Sequence, residues 1–314
     1  MSRRSSERQK KFKMSEKMTV GPPTLKARDL DRMLGFYEGI FGLEKVGSET
    51  QEGSVVLGLD QSATQSLLVL RQNANAKPSS EKSAGLYHYA ITVPDRRSLA
   101  LAYSSLTEDG IRFDGLVDHI VAESLYLHDP ENNGIEIYRD RPRSYWFDAD
   151  GNWKMGAARL DIEGILGELE AADVVQLSGN PTVGVFPNGT AMGHLHLRVT
   201  DLEKSTRFYH ERLGLNISID MSENGVVFLS ASDYHHHIAL NTWNSLGGKR
   251  LQPNDLGLDS IVLNIPASDT NKKFLDGLKT SLENAKFDEE KNEVSSVDPD
   301  GISVKIVGIG DERP

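Results

Sequence analysis

Apolar residues along the chain switch repeatedly between the spacing of a strand and the spacing of a helix. After a predicted strand at residues 24–27, Asp29 is a suitable helix N-cap. The apolar residues that follow recur every three or four positions, as Leu30, Met33, Leu34 and Tyr37. Residues 55–59 and 66–70 then predict two strands. This order of strand, helix and further strands defines one module, which we write βαβββ.

The next stretch follows the same plan. Its predicted elements are a strand at residues 87–93, a helix at 97–108, and strands at 118–121, 124–128 and 134–138. Two more modules begin at Met192 and Gly257 and repeat the order. The chain therefore contains four modules, numbered 1 to 4 from the N-terminus.

The second half of the chain repeats the first half with an offset of 172 positions. The shared residues of the first copy are Asp29-Leu30, Phe36-Tyr37 and Gly42-Leu43, and those of the second copy are Asp201-Leu202, Phe208-Tyr209 and Gly214-Leu215. Likewise, the stretch from Gly85 to Pro94 returns as the stretch from Gly257 to Pro266. A duplicated pair of modules is the simplest description of the chain.

These patterns divide the chain into five parts. Residues 1–16 are polar and mostly basic, which predicts a disordered tail. Modules 1 and 2 occupy residues 17–145, and modules 3 and 4 occupy residues 191–308. Residues 146–190 form a linker with one helical stretch at 162–171, and residues 309–314 form a second tail.

Composition limits the classes of function. The net charge of −11 argues against a general nucleic-acid binder, whose surface would be basic. The chain has no cysteine, so it has neither disulfides nor thiolate chemistry, and a metal ion would need His, Asp or Glu ligands. The sequence contains no apolar run long enough to span a membrane and no signal-peptide pattern, so we expect a cytoplasmic protein without a membrane partner.

The four modules and their shared Asp-Leu, Phe-Tyr and Gly-Leu pairs resemble the vicinal oxygen chelate superfamily. That superfamily includes glyoxalase I, the bleomycin-resistance proteins and the type I extradiol dioxygenases. The resemblance implies an α+β fold in which βαβββ modules form two cup-shaped barrels of mixed sheet. It also implies a metal ion on the floor of a cup, with ligands from the first strand of each module and the last strand of one of them.

The four modules differ at these implied ligand positions. The first-strand position holds Pro22, His88, His194 and Ser260 in modules 1 to 4, and the last-strand position holds Glu136 in module 2 and Lys305 in module 4. His88, His194 and Glu136 are thus the candidate ligands. Two histidines and one carboxylate suit a non-haem Fe(II) oxygenase, because three ligands on one side of the ion leave open positions for substrates. Mn(II) accepts the same ligands.

The candidate ligands belong to modules 2 and 3 and not to one repeat. Pairing module 1 with 2, or module 3 with 4, leaves each site incomplete. We therefore predict that modules 2 and 3 pair. The sequence leaves open whether this pairing occurs within one chain or between two chains. The open edges of such sheets are compatible with a homo-oligomer.

Residues 119–136 resemble a local pattern of the extradiol dioxygenases. The pattern comprises His119, an apolar residue before Tyr126, Asp129-Pro130, and Glu136. One position departs from it, because Asn132 stands where Gly or Pro is usual, and Gly134 is expected to supply the turn. The resemblance implies that His119 hydrogen-bonds a substrate or dioxygen-derived oxygen and that Tyr126 lies beside a substrate hydroxyl.

Three consecutive histidines precede the apolar stretch at residues 238–240. Matching them to another element of the family gives His236 the role of an acid and base beside the metal. Strand parity leaves His237 as an alternative, and a solvent-exposed loop end would explain the run without any function. His196 shares a strand face with His194, so it is a candidate to line the same pocket, although packing is the favoured interpretation.

The family resemblance implies extradiol cleavage of a catechol by dioxygen, giving a 2-hydroxymuconic semialdehyde. The partners are then a small aromatic diol and dioxygen. A metal-dependent isomerase or thiol transferase of the same superfamily is one alternative. A small-molecule binder without catalytic activity is another.

Overall fold

The computed structural model describes residues 12–47, 53–61, 66–80, 82–171, 173, 186–282 and 284–310. Most of the predicted tail, residues 1–11, lies outside this part of the chain, as do residues 174–185 of the linker and 311–314 of the second tail. Within the described residues, every helix is too short or too polar to cross a membrane.

Modules 1 and 2 have the predicted order of elements. Module 1 contains β1 (Thr19–Val20), β2 (Thr24–Ala27), α1 (Leu30–Gly39), β3 (Glu44–Lys45), β4 (Ser54–Gly58) and β5 (Ser66–Gln72). Module 2 contains β6 (Gly85–Thr92), α2 (Arg96–Glu108), β7 (Gly115–Asp118), β8 (Ala122–His128) and β9 (Gly134–Asp140). The carboxylate of Asp29 accepts a hydrogen bond from the Arg32 amide and so caps α1 as predicted.

The linker contributes β10 (Ala158–Arg159) and α3 (Ile162–Leu166). The predicted helix at 162–171 is thus shorter in the structure, which ends it at the C-cap Gly167. β10 pairs with β7, and Arg96 of α2 donates to the Gly164 carbonyl of α3. These parts of the linker pack onto module 2.

Modules 3 and 4 complete the chain. Module 3 contains β11 (Ala191–Arg198), α4 (Leu202–Arg207), a π-helical turn (Phe208–Arg212), β12 (Asn216–Met221), β13 (Val226–Ser230) and β14 (Ile238–Asn241). Module 4 contains β15 (Gly257–Pro266), α5 (Lys272–Ser281), β16 (Lys286–Asp288), β17 (Glu293–Val297) and β18 (Ser303–Ile309).

The strands form two mixed sheets that cross the repeat boundary. The first sheet has the order β16-β17-β18-β15-β2-β5-β4-β3, with β1 beside β15, and joins modules 1 and 4. The second has the order β10-β7-β8-β9-β6-β11-β14-β13-β12 and joins modules 2 and 3 through antiparallel pairing of β6 with β11. The predicted α+β class and the pairing of modules 2 and 3 are confirmed, and this pairing occurs within one chain.

The main core lies on the helix side of both sheets. Tyr89, Ile91 and Leu195 of the two central strands β6 and β11 belong to it, together with Met33 of α1 and Leu99 of α2. Side chains alternate along a strand, so the residues between these core positions face the opposite side of the sheet. That opposite side is where the predicted ligands of β6 and β11 lie.

The first described residues differ from the expectation of a disordered tail. Met14 is buried, and its amide donates to the Gly214 carbonyl. Phe12 contacts Phe274 of α5 with ring centroids 5.2 Å apart. The two apolar side chains among the basic residues therefore anchor residues 12–16 onto modules 3 and 4.

Candidate metal centre

Three adjacent strands of the second sheet bring the predicted ligands together. β6 lies between β9 and β11, and Ala90 of β6 is the register partner of both Glu136 and His194. His88 lies two residues before Ala90, so its side chain projects from the same face. The three residues are 3–5% exposed. Sequence positions 88, 136 and 194 thus converge at one buried point.

The spacing of the ligand atoms fits a divalent ion. Nε2 of His88 and Nε2 of His194 each lie 3.0 Å from Oε2 of Glu136. Ligand atoms from all three residues lie within 4.8 Å of one another. Divalent metals bind such atoms at about 2.0–2.2 Å, so two ligands at right angles lie about 3 Å apart. The two histidine–glutamate distances therefore match those expected around one bound ion.

Burial and charge favour the metal-binding forms of Glu136 and His194. Burial alone would raise the pKa of Glu136, but His194 and His88 hold it well below its usual value. Burial lowers the pKa of His194, against the opposing effect of Glu136. A carboxylate and neutral imidazoles are the ligating states. In addition, Nε2 of His88 is buried 3.0 Å from Oε2 of Glu136 but outside hydrogen-bonding geometry, and a bound ion would satisfy it.

His119 and Tyr126 form a hydrogen-bonded pair beside the cluster. Nδ1 of His119 lies 2.9 Å from the Gly156 carbonyl oxygen, and Nε2 lies 2.8 Å from the Tyr126 hydroxyl. A carbonyl oxygen only accepts, so Nδ1 carries a proton, and in the neutral ring Nε2 accepts from the Tyr126 hydroxyl. Burial, followed by the charge of Glu136, raises the pKa of Tyr126 well above its usual value. The hydroxyl therefore keeps its proton near neutral pH.

His119 stands in a strained turn. The sequence predicts a strand at residues 118–121, but β7 ends at Asp118 and Ile120 has φ +72°. This φ is unusual for a β-branched residue. The Asp118 carboxylate accepts from the Ile120 amide, and the His119 amide donates to the Ala122 carbonyl. These two bonds stabilise the turn that directs the His119 ring toward the cavity.

Of the two histidines proposed for the acid and base role, His236 faces the cluster. Its ring centroid lies 4.1 Å from that of His194, and it lines the same cavity. Nδ1 of His237 instead accepts from the Ser230 hydroxyl at 2.9 Å and from the Ala231 amide at 3.3 Å. Both residues are 7% exposed, so the run of histidines is not a solvent-exposed loop end.

A hydrogen-bonded chain continues behind His236. Its Nδ1 lies 2.7 Å from Nδ1 of His235, whose Nε2 lies 2.8 Å from Oδ1 of Asp140. Oδ2 of Asp140 accepts from the Tyr234 hydroxyl at 2.8 Å. The sequence did not single out His235 or Asp140, because His235 lies before β14 begins and its direction does not follow from strand alternation.

The cluster lies in a cavity of about 620 Å³. Seven of the nine histidines line it, namely His88, His119, His128, His194, His196, His235 and His236. His196, for which packing was the favoured interpretation and pocket lining the alternative, is one of them, and its Nε2 lies 3.0 Å from Nδ2 of Asn241. Residues 155–157 of the linker form part of the wall. The sequence interpretation of residues 146–190 as a linker did not predict that they line the cavity.

Comparison with known proteins identifies the family. Residues 19–137 match the family model described as the glyoxalase/bleomycin resistance protein/dioxygenase superfamily, and residues 192–230 match that of the bleomycin resistance protein-like N-terminal region. The chain is also 36% identical over 278 residues to a Bacillus subtilis protein named catechol-2,3-dioxygenase, covering 88% of this chain and 91% of that protein. The chain belongs to the glyoxalase/bleomycin resistance protein/dioxygenase superfamily.

Solved structures of this superfamily have the same fold. A putative dioxygenase from Bacillus subtilis aligns with a TM-score of 0.62 at 14% identity, covering 95% of this chain and 87% of that chain. Glyoxalase I from Zea mays aligns with a TM-score of 0.54 at 17% identity, covering 93% and 92%. At these identities the two alignments support the architecture and not the chemistry.

The corresponding position of module 1, Pro22, lies between β1 and β2, and the corresponding positions of module 4 lie in the other sheet. There, Ser260 is the register partner of Thr24 and of Ser303, and Lys305 lies 4.0 Å from Glu293. Among the described residues, His88, Glu136 and His194 are the one group of His, Cys, Asp or Glu with metal-binding spacing. The superfamily scaffold therefore presents a single candidate metal centre in this part of the chain.

The departure from the extradiol pattern at Asn132 is explained by its backbone. Asn132 has φ +67°, a conformation in which Gly is favoured and Asn is the next choice. The expectation that Gly134 supplies this turn is therefore wrong. A Cβ at Gly134 would instead overlap the Tyr87 carbonyl oxygen, so glycine there permits the close approach of β9 to β6.

Proposed function

We propose that the protein cleaves a catechol ring next to its diol with dioxygen, at an Fe(II) ion held by His88, His194 and Glu136. The main support for this proposal is the close spacing of the three ligand atoms on one wall of a large cavity. Three ligands on one side leave the positions that face the cavity open for small molecules. Mn(II) fits the same ligands.

A bound Fe(II) ion would hold the diol and dioxygen together and transfer electrons between them. The protein residues supply the proton chemistry and the positioning. His236 lies against His194 and can take a proton from a diol hydroxyl and return it to an oxygen during ring opening. His235 and Asp140 orient the His236 ring through their hydrogen bonds.

His119 and Tyr126 serve as the second polar wall in this proposal. The Tyr126 hydroxyl donates to His119 and lies near Glu136, so its oxygen is positioned to accept a hydrogen bond from a substrate hydroxyl. The Gly156 carbonyl fixes the His119 tautomer, and with it the direction of the hydrogen bond between Tyr126 and His119. The name of the 36% identical relative, catechol-2,3-dioxygenase, supports the same reaction.

The residues around the cluster favour the oxygenase over an isomerase or thiol transferase. Those enzymes favour a further carboxylate or glutamine on the facing module. In module 3 the corresponding strand β14 offers Ala239 and Asn241, and the side chain of Asn241 bonds His196. A pure binding protein would need neither the ligand cluster nor the polar chain behind His236.

The test is ring cleavage by the protein loaded with Fe(II) without oxygen. Addition of catechol and air is expected to give a yellow ring-opened product, with one oxygen molecule consumed per catechol. Glu136→Gln removes a ligand charge and is expected to abolish both ion binding and colour. Lys305→Ala, at the corresponding position of module 4, is the matched control and keeps both.

Absence of colour and oxygen uptake with Fe(II) and with Mn(II) would overturn the proposal. Conversion of a glutathione hemithioacetal by the same preparation would then identify the isomerase alternative. Retention of full activity by Glu136→Gln would also contradict the assignment of the site.

A further inference from the structure

The candidate cavity is much larger than a catechol ring. Its volume is about 620 Å³, whereas a cavity of about 150 Å³ already accommodates benzene. Cavities of roughly 300–1,000 Å³ accommodate molecules of several rings or long side chains. A single diol ring on the metal ligands would leave most of this space unfilled.

The charged groups of the cavity wall disfavour an acidic substituent. Among the described residues that line the cavity there is neither Lys nor Arg, and the carboxylates on the wall are Glu136 and Asp114. A substrate carboxylate would leave water without a cationic partner, which is unfavourable. The extra space therefore suits an uncharged group.

Aromatic side chains lead from the metal ligands to the mouth of the cavity. The ring centroid of His88 lies 4.9 Å from that of His196, and the His196 centroid lies 5.4 Å from that of Trp243 and 5.0 Å from that of Tyr87. Trp243 and Tyr87 contact each other edge to face at 5.3 Å. A group that extends from the cluster past His196 meets this aromatic pair.

The mouth exposes apolar surface that a ligand would cover. Trp243 is 50% exposed, Tyr87 is 38% exposed and Met221 is 37% exposed, and all three line the cavity. The Trp243 indole N–H donates to the Asn224 carbonyl at 3.0 Å, which fixes the ring while its face stays open. Covering such fixed apolar surface is favourable, because little conformational freedom is lost on binding.

We propose that the cavity selects uncharged catechols that carry a bulky apolar substituent, such as an aryl or branched alkyl group. The diol lies at His88, His194 and Glu136, and the substituent extends past His196 to Trp243, Tyr87 and Met221. The assignment of the diol end rests on the function proposed above. The substituent end rests on the size, charge and aromatic lining of the cavity.

The test compares four diols on the Fe(II)-loaded protein: catechol, 3-phenylcatechol, 4-tert-butylcatechol and 3,4-dihydroxyphenylacetate. We expect kcat/KM for at least one of the two apolar-substituted diols to exceed that for catechol by about tenfold or more, mainly through KM. The carboxylated diol is expected to be poorer than catechol. Calorimetric titration without oxygen measures the Kd of each diol independently of turnover.

Two variants locate the substituent. Trp243→Ala is expected to lower the preference for apolar-substituted diols about tenfold, and Met221→Lys is expected to improve binding of 3,4-dihydroxyphenylacetate relative to catechol. Tyr145→Ala removes an aromatic ring that is 49% exposed but does not line the cavity, so it is the matched control and leaves the order of diols unchanged.

The outcomes separate this proposal from the proposed reaction. Tightest binding and fastest cleavage of plain catechol, with no effect of Trp243→Ala on the order, would overturn the proposed selectivity and leave ring cleavage intact. Tighter binding of apolar-substituted diols without any cleavage would uphold the selectivity and overturn the reaction. Equal binding of the carboxylated and apolar diols would contradict the charge argument.

Discussion

At the scale of single residues, the candidate site depends on differences between copies of one module. The strand position occupied by His88 and His194 in modules 2 and 3 holds Ser260 in module 4. Comparing the copies, with the ligand positions that the family resemblance implies, was therefore enough to select these side chains from the sequence. His235 could not be selected in this way, because it lies in a connection between strands, where alternation does not fix side-chain direction.

Substitution of His236 is expected to lower turnover, whereas substitution of the neighbouring His237 is expected to lower stability. His236→Ala removes the ring beside His194 and should lower kcat by roughly 10²–10⁴-fold, the usual range for loss of an acid and base group. His237→Ala leaves the buried Ser230 hydroxyl and Ala231 amide without their acceptor, and should lower the free energy of unfolding by about 1–3 kcal/mol.

Turnover with excess Fe(II) and urea unfolding, measured on both variants, check this prediction. A large loss of kcat in His237→Ala, with normal turnover in His236→Ala, would reverse the assignment of the two histidines.

At the scale of elements, the connections between strands shape the site more than the strands do. Apolar spacing predicts a strand at 118–121, whereas the chain turns there at Ile120 and directs His119 inward. A positive φ at a β-branched residue has no signature in polarity, so the sequence could not reveal this turn. The strands β6, β9 and β11 were predictable, because residues of the two faces alternate along most of their length, although the pairing of β6 with β11 has two register shifts.

Gly134 is expected to be necessary for the close approach of β9 to β6. In Gly134→Ala the new methyl group would overlap the Tyr87 carbonyl oxygen and push the two ligand strands apart. The free energy of unfolding should fall by about 1–3 kcal/mol, and metal affinity should fall because His88 and Glu136 separate. Thermal unfolding and titration with Fe(II) measure the two effects.

The matched control is Gly35→Ala in α1, where the added methyl group has nothing within 4 Å. That variant should be stabilised by up to about 1 kcal/mol through helix propensity. Unchanged stability and metal affinity in Gly134→Ala would show that the two strands can separate without cost.

At the scale of the whole molecule, a tyrosine–aspartate hydrogen bond connects the two modules of each repeat, which lie in different sheets. The Tyr37 hydroxyl donates to Asp129 at 2.9 Å, and the Tyr209 hydroxyl donates to Asp298 at 3.0 Å. The pairing of modules followed from the sequence, since only modules 2 and 3 together carry a full set of ligands. The contribution of residues 155–157 to the cavity wall did not follow from the sequence, because the position of a loop depends on how the sheets assemble.

The contribution of Asp298 to folding stability is expected to fall as the pH rises. Burial raises the pKa of Asp298 from 3.8 to about 7. Between these values the folded protein holds a proton that the unfolded chain has released, so the contribution of Asp298 to stability falls with rising pH. Asp298→Asn has no carboxyl group to titrate, so it serves as the reference. The free energy of unfolding of the wild type minus that of the variant should fall by at most about 4 kcal/mol between about pH 4 and pH 8.

Urea unfolding at a series of pH values checks the prediction. Asp276→Asn, which removes an exposed carboxylate of α5, is the control for loss of one charge. A difference between wild type and Asp298→Asn that stays constant or grows with pH would contradict the raised pKa.

The most direct measurement is anomalous X-ray diffraction from crystals loaded with Fe(II) without oxygen. One iron peak per chain is expected, at about 2.0–2.2 Å from Nε2 of His88, Nε2 of His194 and a carboxylate oxygen of Glu136. The remaining coordination positions should face the cavity. An iron peak elsewhere, or none under conditions that saturate the protein, with Glu136 coordinating nothing, would contradict the metal centre and the oxygenase chemistry built on it.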